Sequence, residues 1–408
     1  MGMQRESSWP MVTVADAHAA VARVSAIPLG HERVPSHQAA GRVVAQVVSA
    51  PADMPAEPRA TVDGYAICSS DGDTARQVVG ELTAGDGQQV TLGAGQAVRI
   101  MTGAPLPAGA DAAIMVERTS EHDSLLTYTG SVRAGDCVIQ PGSDMRAGDV
   151  IMPVGSVVAP GDVGLLTTIG LRHVMVYRRP VVAVLSTGDE VYPYDQSIPY
   201  GGVRDSNSPA LLAAIAAADC EGIALGIAPD QPELQRARVR DGLARADVLI
   251  TSGGVSMGTR DFIKPLLAEL GQVQFGRIAF KPGKPTMCAV VGSTLVFGLP
   301  GNPVSSLVSF EVFVRPALRR LMGDATPERP RVSVHIADAI MPSPDRPEYM
   351  RAIVRWQDGR LVASTTGAQG SSRLLSMRAA NALLIIAPGE QRLPAGSPVE
   401  ALIVGDIH

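Results

Sequence analysis

An α/β core with a mostly parallel sheet, flanked by β-rich segments, is the fold class that this 408-residue chain predicts. Three observations carry it. Between about 181 and 322, short apolar runs alternate with helical patterns, the mark of βαβ units with helices on both faces of a sheet. From about 40 to 140, and again from about 329, short alternating runs sit between Gly, Asp and Pro, as strands between turns do. The length also exceeds what one core fills, at roughly 100–200 residues per domain. With 46% hydrophobic and 18% charged residues, material for buried cores is ample. The 42 Gly and 31 Pro show no G-X-Y period and point to many turns.

Taken in order, residues 13–26 space their apolar side chains as an amphipathic helix, with Thr13 as N-cap. Gln89–Leu92 and Gln96–Ile100 typify the β-rich stretch, and Pro160–Ile169 reads as a helix after short strands. Val181–Leu185 is a buried strand, Ser208–Ala218 a helix, Gly222–Ala228 a second strand and Pro232–Ala246 an Arg-rich helix. Val248–Thr251 is a third strand, Thr259–Leu270 helical, Leu295–Gly298 a further strand, and Val304–Met322 one long helix. Beyond Arg329-Pro330 the runs RVSVHIADAI, EYMRAIVRWQ, GRLVASTT, NALLIIAP and PVEALIVG read as strands.

Composition excludes several classes. A net charge of −5 argues against a nucleic-acid coat, and 4% aromatic residues leave little for base stacking. The four cysteines, Cys68, Cys137, Cys220 and Cys288, form no C-x-x-C pair, so neither a zinc knuckle nor a disulfide framework is expected. The N-terminal residues lack the apolar stretch of a signal peptide, and the longest apolar run, Ala210–Ala218, is far below the roughly 20 residues that span a bilayer. A soluble protein of the reducing cytoplasm, without membrane or nucleic-acid partners, is the expectation.

In an open parallel sheet, ligands bind beyond the carboxyl ends of the strands. Three loops leave such ends here. Ser186-Thr187-Gly188-Asp189-Glu190 follows the first strand. Thr251-Ser252-Gly253-Gly254-Val255-Ser256, with Asp261 further on, follows the third. Pro300-Gly301-Asn302-Pro303-Val304-Ser305 opens the long helix. Glycines admit backbone N–H groups to a phosphate, Ser and Thr add hydroxyl donors, and a helix N-terminus adds its dipole. Asp189, Glu190, Asp230 and Asp261 would repel a bare phosphate, so a Mg2+ between carboxylates and ligand is the natural resolution. Only three of the 35 basic residues are lysines, and two of them, Lys281 and Lys284, share the run Lys-Pro-Gly-Lys-Pro. A compact ammonium suits an oxyanion as a point charge. Neither G-x-x-x-x-G-K-[ST] nor G-x-G-x-x-G after a strand occurs, which disfavours a Walker-type or nicotinamide site.

Together, STGDE, Asp205-Ser206-Asn207, TSGGVSMG, KPGKP and GLPGNPVS, preceded by DGYA, MTGAP and GADAAIMVE, resemble the molybdenum insertase family, the molybdopterin molybdenumtransferases and the E domain of gephyrin-like proteins. The likeness runs from about 13 to 404, with the motifs in the family's order. It implies an elongated homodimer with a molybdopterin-binding α/β domain (179–328), an inserted β-rich domain (48–142), a small linking domain from two stretches (13–47 and 143–178) and a C-terminal β-barrel (329–408). The implied reaction converts adenylylated molybdopterin and molybdate, with Mg2+, to molybdenum cofactor and AMP.

By the same resemblance, Lys281, Lys284 and Ser256 would hold molybdate, completed by Arg351, Ser371 and Ser372. Asp189, Glu190, Asp230 and Asp261 would bind Mg2+ or orient water. Ser186, Thr187, Gly188, Ser252, Gly253, Gly254, Pro300, Gly301, Pro303 and Ser305 would seat the cofactor. Asp63 and Thr102 would act from the β-rich domain on the partner's core, and Asp144 from the second stretch of the linking domain. The adenylylating enzyme and acceptor molybdoenzymes are the implied protein partners. Two departures stand out: Ala60-Thr61-Val62 replaces Ser-Ala-Met, and Gly135–Asp144 keeps Asp144 but lacks the family's Asn, Arg and Glu. That second loss motivates the alternative of a non-catalytic carrier or gephyrin-like scaffold. An ATP-dependent adenylylating enzyme is a third reading, disfavoured because that class lacks the flanking domains.

Overall fold

The computed structural model describes residues 9–85, 89–255 and 262–407. The chain divides into two compact units: one of Met1–Ala45, Val154–Val163 and His173–His408, the other of Gln46–Pro153 and Gly164–Arg172.

The first unit begins with helix α1 (Val14–Val24). Thr13 Oγ1 accepts the Asp16 N–H at 3.1 Å while the Asp16 carboxylate accepts the Thr13 N–H at 3.3 Å, a reciprocal box that satisfies two otherwise unpaired donors. Ala17, Ala20 and Val21 bury its apolar stripe. The α/β core follows as β1 (Val181–Thr187), α2 (Asn207–Ala217), β2 (Glu221–Ala228), α3 (Pro232–Arg245), β3 (Val248–Ser252), α4 (Ile263–Leu270), β4 (Gln272–Phe275), β5 (Met287–Val291) and β6 (Thr294–Leu299). The sheet order is β2-β1-β3-β6-β5-β4, parallel across β2, β1, β3 and β6. Val182, Val184, Val248 and Ile250 face one apolar cluster, Ala183, Leu185 and Leu249 another. Burial of both faces is why these strands read as unbroken apolar runs.

Two features differ from expectation. Antiparallel β4 and β5 extend the sheet where no strands were expected. The long helix is three segments: α5 (Pro303–Ser309), a π segment (Phe310–Val314) and α6 (Arg315–Leu321). Pro316 has no N–H to return to the carbonyl four residues back, so the ladder widens just ahead of it. The expected start of α4 at Thr259 lies outside the described residues.

A closed barrel follows, from β7 (Arg331–Ile336), β8 (Glu348–Gln357), β9 (Arg360–Thr365), β10 (Ala382–Ile386) and β11 (Pro398–Ile403), in the order β7-β9-β8-β10-β11. Val334, Ala352, Val354, Ala363, Leu384 and Ala401 fill it. Elsewhere in this unit His31–Pro35 pairs antiparallel with His173–Tyr177. The second unit is built on a six-stranded sheet, with Gly64–Ile67 between Ala112–Met115 and Gln96–Ile100.

No described helix is long and apolar enough to cross a membrane. All four cysteines are free; burial pushes the Cys220 thiol up to about 12 and makes it inert.

Asp247 ties the entry of β1 to that of β3. Its carboxylate accepts Arg178 Nη1 and Nη2 at 2.7 and 2.5 Å and the Val181 N–H at 2.9 Å. Burial acts to raise its pKa, but these three donors outweigh it and the group titrates below the ordinary carboxylate value. A depressed folded pKa contributes stability that is complete above the unfolded value near 4 and is lost as pH falls through the folded one. Asp247→Asn should therefore lower stability by about 1–2 kcal/mol at pH 7, with Arg178 half-exposed. The gap to the parent should close in urea unfolding below pH 4; a constant gap would refute the assignment.

Candidate active site

The carboxyl ends of β1, β3 and β6 open into a cleft of about 620 Å³. Ser186, Thr187, Gly188 and Glu190 line it from the first loop, Ser252, Gly253 and Gly254 from the second, and Pro300, Gly301 and Pro303 from the third. Asp230, at the exit of β2, and Ser372, from the barrel, also face it. The switch between outward-diverging crossovers thus gathers most of the residues singled out from sequence.

The loops are locked to one another by groups that sequence reading left without a role. Asp205 Oδ1 accepts the Ser186 hydroxyl at 2.9 Å and the Ser208 N–H at 3.0 Å. Asn207 Nδ2 donates to Ser252 Oγ and to the Gly301 carbonyl, both at 2.7 Å, so one amide joins the second loop to the third. Asn302 Nδ2 donates to Ser371 Oγ at 3.1 Å, fastening the third loop to the barrel. The Asp-Ser-Asn run was visible as a motif; its bridging geometry was not. Gly253 sits at φ +93°, where a Cβ would lie 2.7 Å from the Thr187 carbonyl oxygen. Only glycine closes the two strand ends this tightly.

The carboxylates are tied through main-chain and amide donors rather than to one another. The Asp230 N–H donates to Asp189 Oδ1 at 2.9 Å, and Asp230 Oδ1 accepts Gln235 Nε2 at 3.2 Å. Glu190 and Asp230 face the cleft, while Asp189 supports the turn beside them. Among the described residues no group of three or more His, Cys, Asp or Glu could by itself hold a metal ion. Asp261 and Ser256 lie outside the described residues.

A second pocket of about 460 Å³ shares Pro285 and Asn302 with the first. Lys281, Lys284, Ser305 and Ser371 line it, together with Arg346, Glu348 and Gln369. Among the described residues no hydrogen bond or ion pair engages the Lys284 ammonium, whereas Lys281 Nζ lies 3.0 Å from Glu348 Oε2. Arg351 lines neither pocket. It is wholly buried, with Nε donating to Ser376 Oγ at 3.1 Å and its main-chain N–H donating to Gln369 Oε1 at 2.8 Å, so it braces the pocket-lining loop from behind.

In the second unit, Thr102 donates to Asp63 Oδ1 through its N–H at 2.7 Å and its hydroxyl at 2.8 Å. Those two donors, the backbone one foremost, hold the Asp63 carboxyl below its ordinary range. Asp144 is exposed, its N–H donating to the Met54 carbonyl at 3.0 Å.

A parallel α/β core with hydroxyl- and carboxylate-lined strand ends, and a lysine-bearing pocket against a β-barrel, defines an α/β protein with an anion-suited cleft and accessory domains. Models of the MoeA N-terminal region (domain I and II), a probable molybdopterin binding domain and the MoeA C-terminal region (domain IV) match residues 12–170, 183–320 and 333–404. The molybdopterin molybdenumtransferase of Bacillus subtilis is 33% identical over 376 residues, covering 89% of this chain and 87% of that protein. Gephyrin of Dictyostelium discoideum is 34% identical over 429 residues, which is 92% of this chain but 60% of the gephyrin. The crystal structure of the molybdopterin biosynthesis moeA protein of Pyrococcus horikosii superposes with a TM-score of 0.84 at 31% identity, over 97% of this chain and all of that one. The chain belongs to the molybdopterin molybdenumtransferase family, a family of transferases.

Proposed function

We propose that this chain is a molybdenum insertase, which takes adenylylated molybdopterin and molybdate to molybdenum cofactor and AMP. The observation that carries the reading is the pair of adjoining pockets, one rich in hydroxyls, loop N–H groups and carboxylates, the other lined by lysines. The first suits a phosphorylated pterin at strand ends, the second a tetrahedral oxyanion.

Mg2+ fits the donor set. Hard oxygens of Glu190 and Asp230 face the cleft, and magnesium characteristically takes one or two carboxylates, keeping waters and substrate phosphates for the rest. It would neutralise charge on the phosphoanhydride. The chain's own residues do the remainder. Ser186, Thr187 and Ser252 offer hydroxyls to phosphate oxygens. Glu190 and Asp230, with Asp189 and Asp261, hold the metal or orient the attacking water. Lys284 holds the molybdate, with Ser305 and Ser371 as hydroxyl donors in that pocket and Ser372 as a donor from the adjoining cleft. Water adds to the anhydride phosphorus, the bond to AMP breaks, and phosphate stays on molybdopterin.

Within the same proposal, the protein acts in the cytoplasm as a homodimer, with Asp63 and Thr102 serving the partner's core. The divisions at 47/48, 142/143, 178/179 and 328/329 delimit its domains.

The test is AMP release from adenylylated molybdopterin with Mg2+, with and without molybdate, beside reconstitution of an apo-molybdoenzyme. Molybdate-dependent release with reconstitution is expected, and Glu190→Gln with Asp230→Asn should cut release at least about 100-fold. Binding without release would replace the insertase by a carrier or scaffold.

A further inference from the structure

A pocket suited to an oxyanion has no evident use for a carboxylate, yet Glu348 lines it. Its side chain is 5% exposed, and the Lys281 side chain, whose ammonium it meets at 3.0 Å, is 40% exposed. Main-chain bonds already pin the loop: the Lys281 N–H donates to the Pro347 carbonyl at 3.1 Å, and the Tyr349 N–H to the Lys281 carbonyl at 2.7 Å. A neutral amide could also accept from Nζ. What the ionised carboxylate adds beyond tethering is its charge.

We propose that Glu348 sets the charge of this pocket. It holds Lys281 in place and cancels most of its attraction for an incoming oxyanion, leaving capture to the pocket's other cations, Lys284 foremost and Arg346 beside Asp345. The ligand is then held firmly enough to be positioned and loosely enough to be passed to the adjoining cleft, which begins at Pro285 and Asn302. Glu348 is thus a positioning and charge-setting residue rather than a ligand. This rests on the oxyanion reading of the pocket.

Titration calorimetry of the full-length protein with molybdate, and with sulfate as competitor, tests it. Glu348→Gln keeps the shape and releases the ammonium, so molybdate should bind on the order of 10-fold more tightly, with a steeper loss of affinity in salt. Glu348→Asp should restore weaker binding. Lys281→Gln should weaken molybdate binding by on the order of 10-fold, because a nearly buried carboxylate is left uncompensated. The double variant Lys281→Gln/Glu348→Gln should return close to the parent value, which also serves if one single variant fails to fold. A carboxylate that only tethers the loop would leave affinity unchanged or weaker in Glu348→Gln, and single-variant effects that add in the double would likewise overturn the proposal. A parent protein that binds neither anion would remove the oxyanion reading together with this one, and that outcome is distinct from an unaltered Glu348→Gln.

Discussion

Lys284→Ala should lower molybdate-dependent AMP release by about 10²–10³-fold while leaving the unfolding midpoint nearly unchanged. The asymmetry between the two lysines of the run is the reason. Lys281 is neutralised by Glu348, whereas among the described residues no hydrogen bond or ion pair engages the Lys284 ammonium, which lines the same pocket and feels Asp345 only at longer range. Removing it strands no buried carboxylate, so the fold has little to lose. An oxyanion seated there would lose a charge-assisted contact, among the stronger polar contacts a protein makes. Lys284→Arg should recover only part of the rate, since a planar fork does not replace a point charge. Mixing Lys284→Ala with Asp63→Asn chains adds a test of the shared site. If Asp63 serves the partner's core as proposed, a heterodimer of the two would carry one site with both groups intact, and up to about a quarter of parental activity should return on subunit exchange. Near-normal release in Lys284→Ala would dismiss its role, and no recovery on mixing would place Asp63 in its own subunit's chemistry or in none.

How far the site was legible follows from the distance over which each interaction acts. The strand-end loops could be read because parallel strands are buried on both faces and so announce themselves as apolar runs, with the residues that follow them fixed at one edge. Ser186, Ser252 and Pro300 come together for that reason. Glu348 could not be read: it meets Lys281 across 67 positions, and nothing in Pro347-Glu348-Tyr349 marks an ion pair. Asn207 hid in the same way, because its two acceptors, Ser252 and Gly301, belong to different loops. Arg351 was expected to reach the oxyanion, yet it lines neither pocket: Nε donates to Ser376 Oγ and Nη2 to the Gly370 carbonyl, while Nη1 is buried without a hydrogen-bond partner among the described residues. β4 and β5 escaped notice because an antiparallel edge pair of four and five residues carries too little periodicity to stand out beside a helix and a Pro-Gly loop. The π segment escaped because helical spacing continues through it and only Pro316 hints at the break.

Gly253→Ala should both destabilise the core, by about 2–4 kcal/mol, and bring AMP release below about 1% of the parent. The two effects share one origin. At φ +93° an L side chain is strained whatever the space, and here the space is also taken. The new Cβ would lie 2.7 Å from the Thr187 carbonyl oxygen and 2.8 Å from its hydroxyl. The carbonyl cannot turn aside without moving the end of β1, so relief must come from parting β1 and β3 beneath the cleft. That shifts Ser252 relative to Ser186, and displacement of about 1 Å at a reacting centre is enough for a 10²-fold loss. Gly301→Ala provides the contrast on the facing loop. Its Cβ would meet only the Gly253 Cα, at 3.7 Å, an ordinary contact, and its φ carries no left-handed strain. Gly301→Ala should therefore keep the parental unfolding midpoint. Thermal unfolding and AMP release measured on both variants decide the matter: equal tolerance of the two substitutions would mean that close approach of β1 and β3 is not what shapes the cleft.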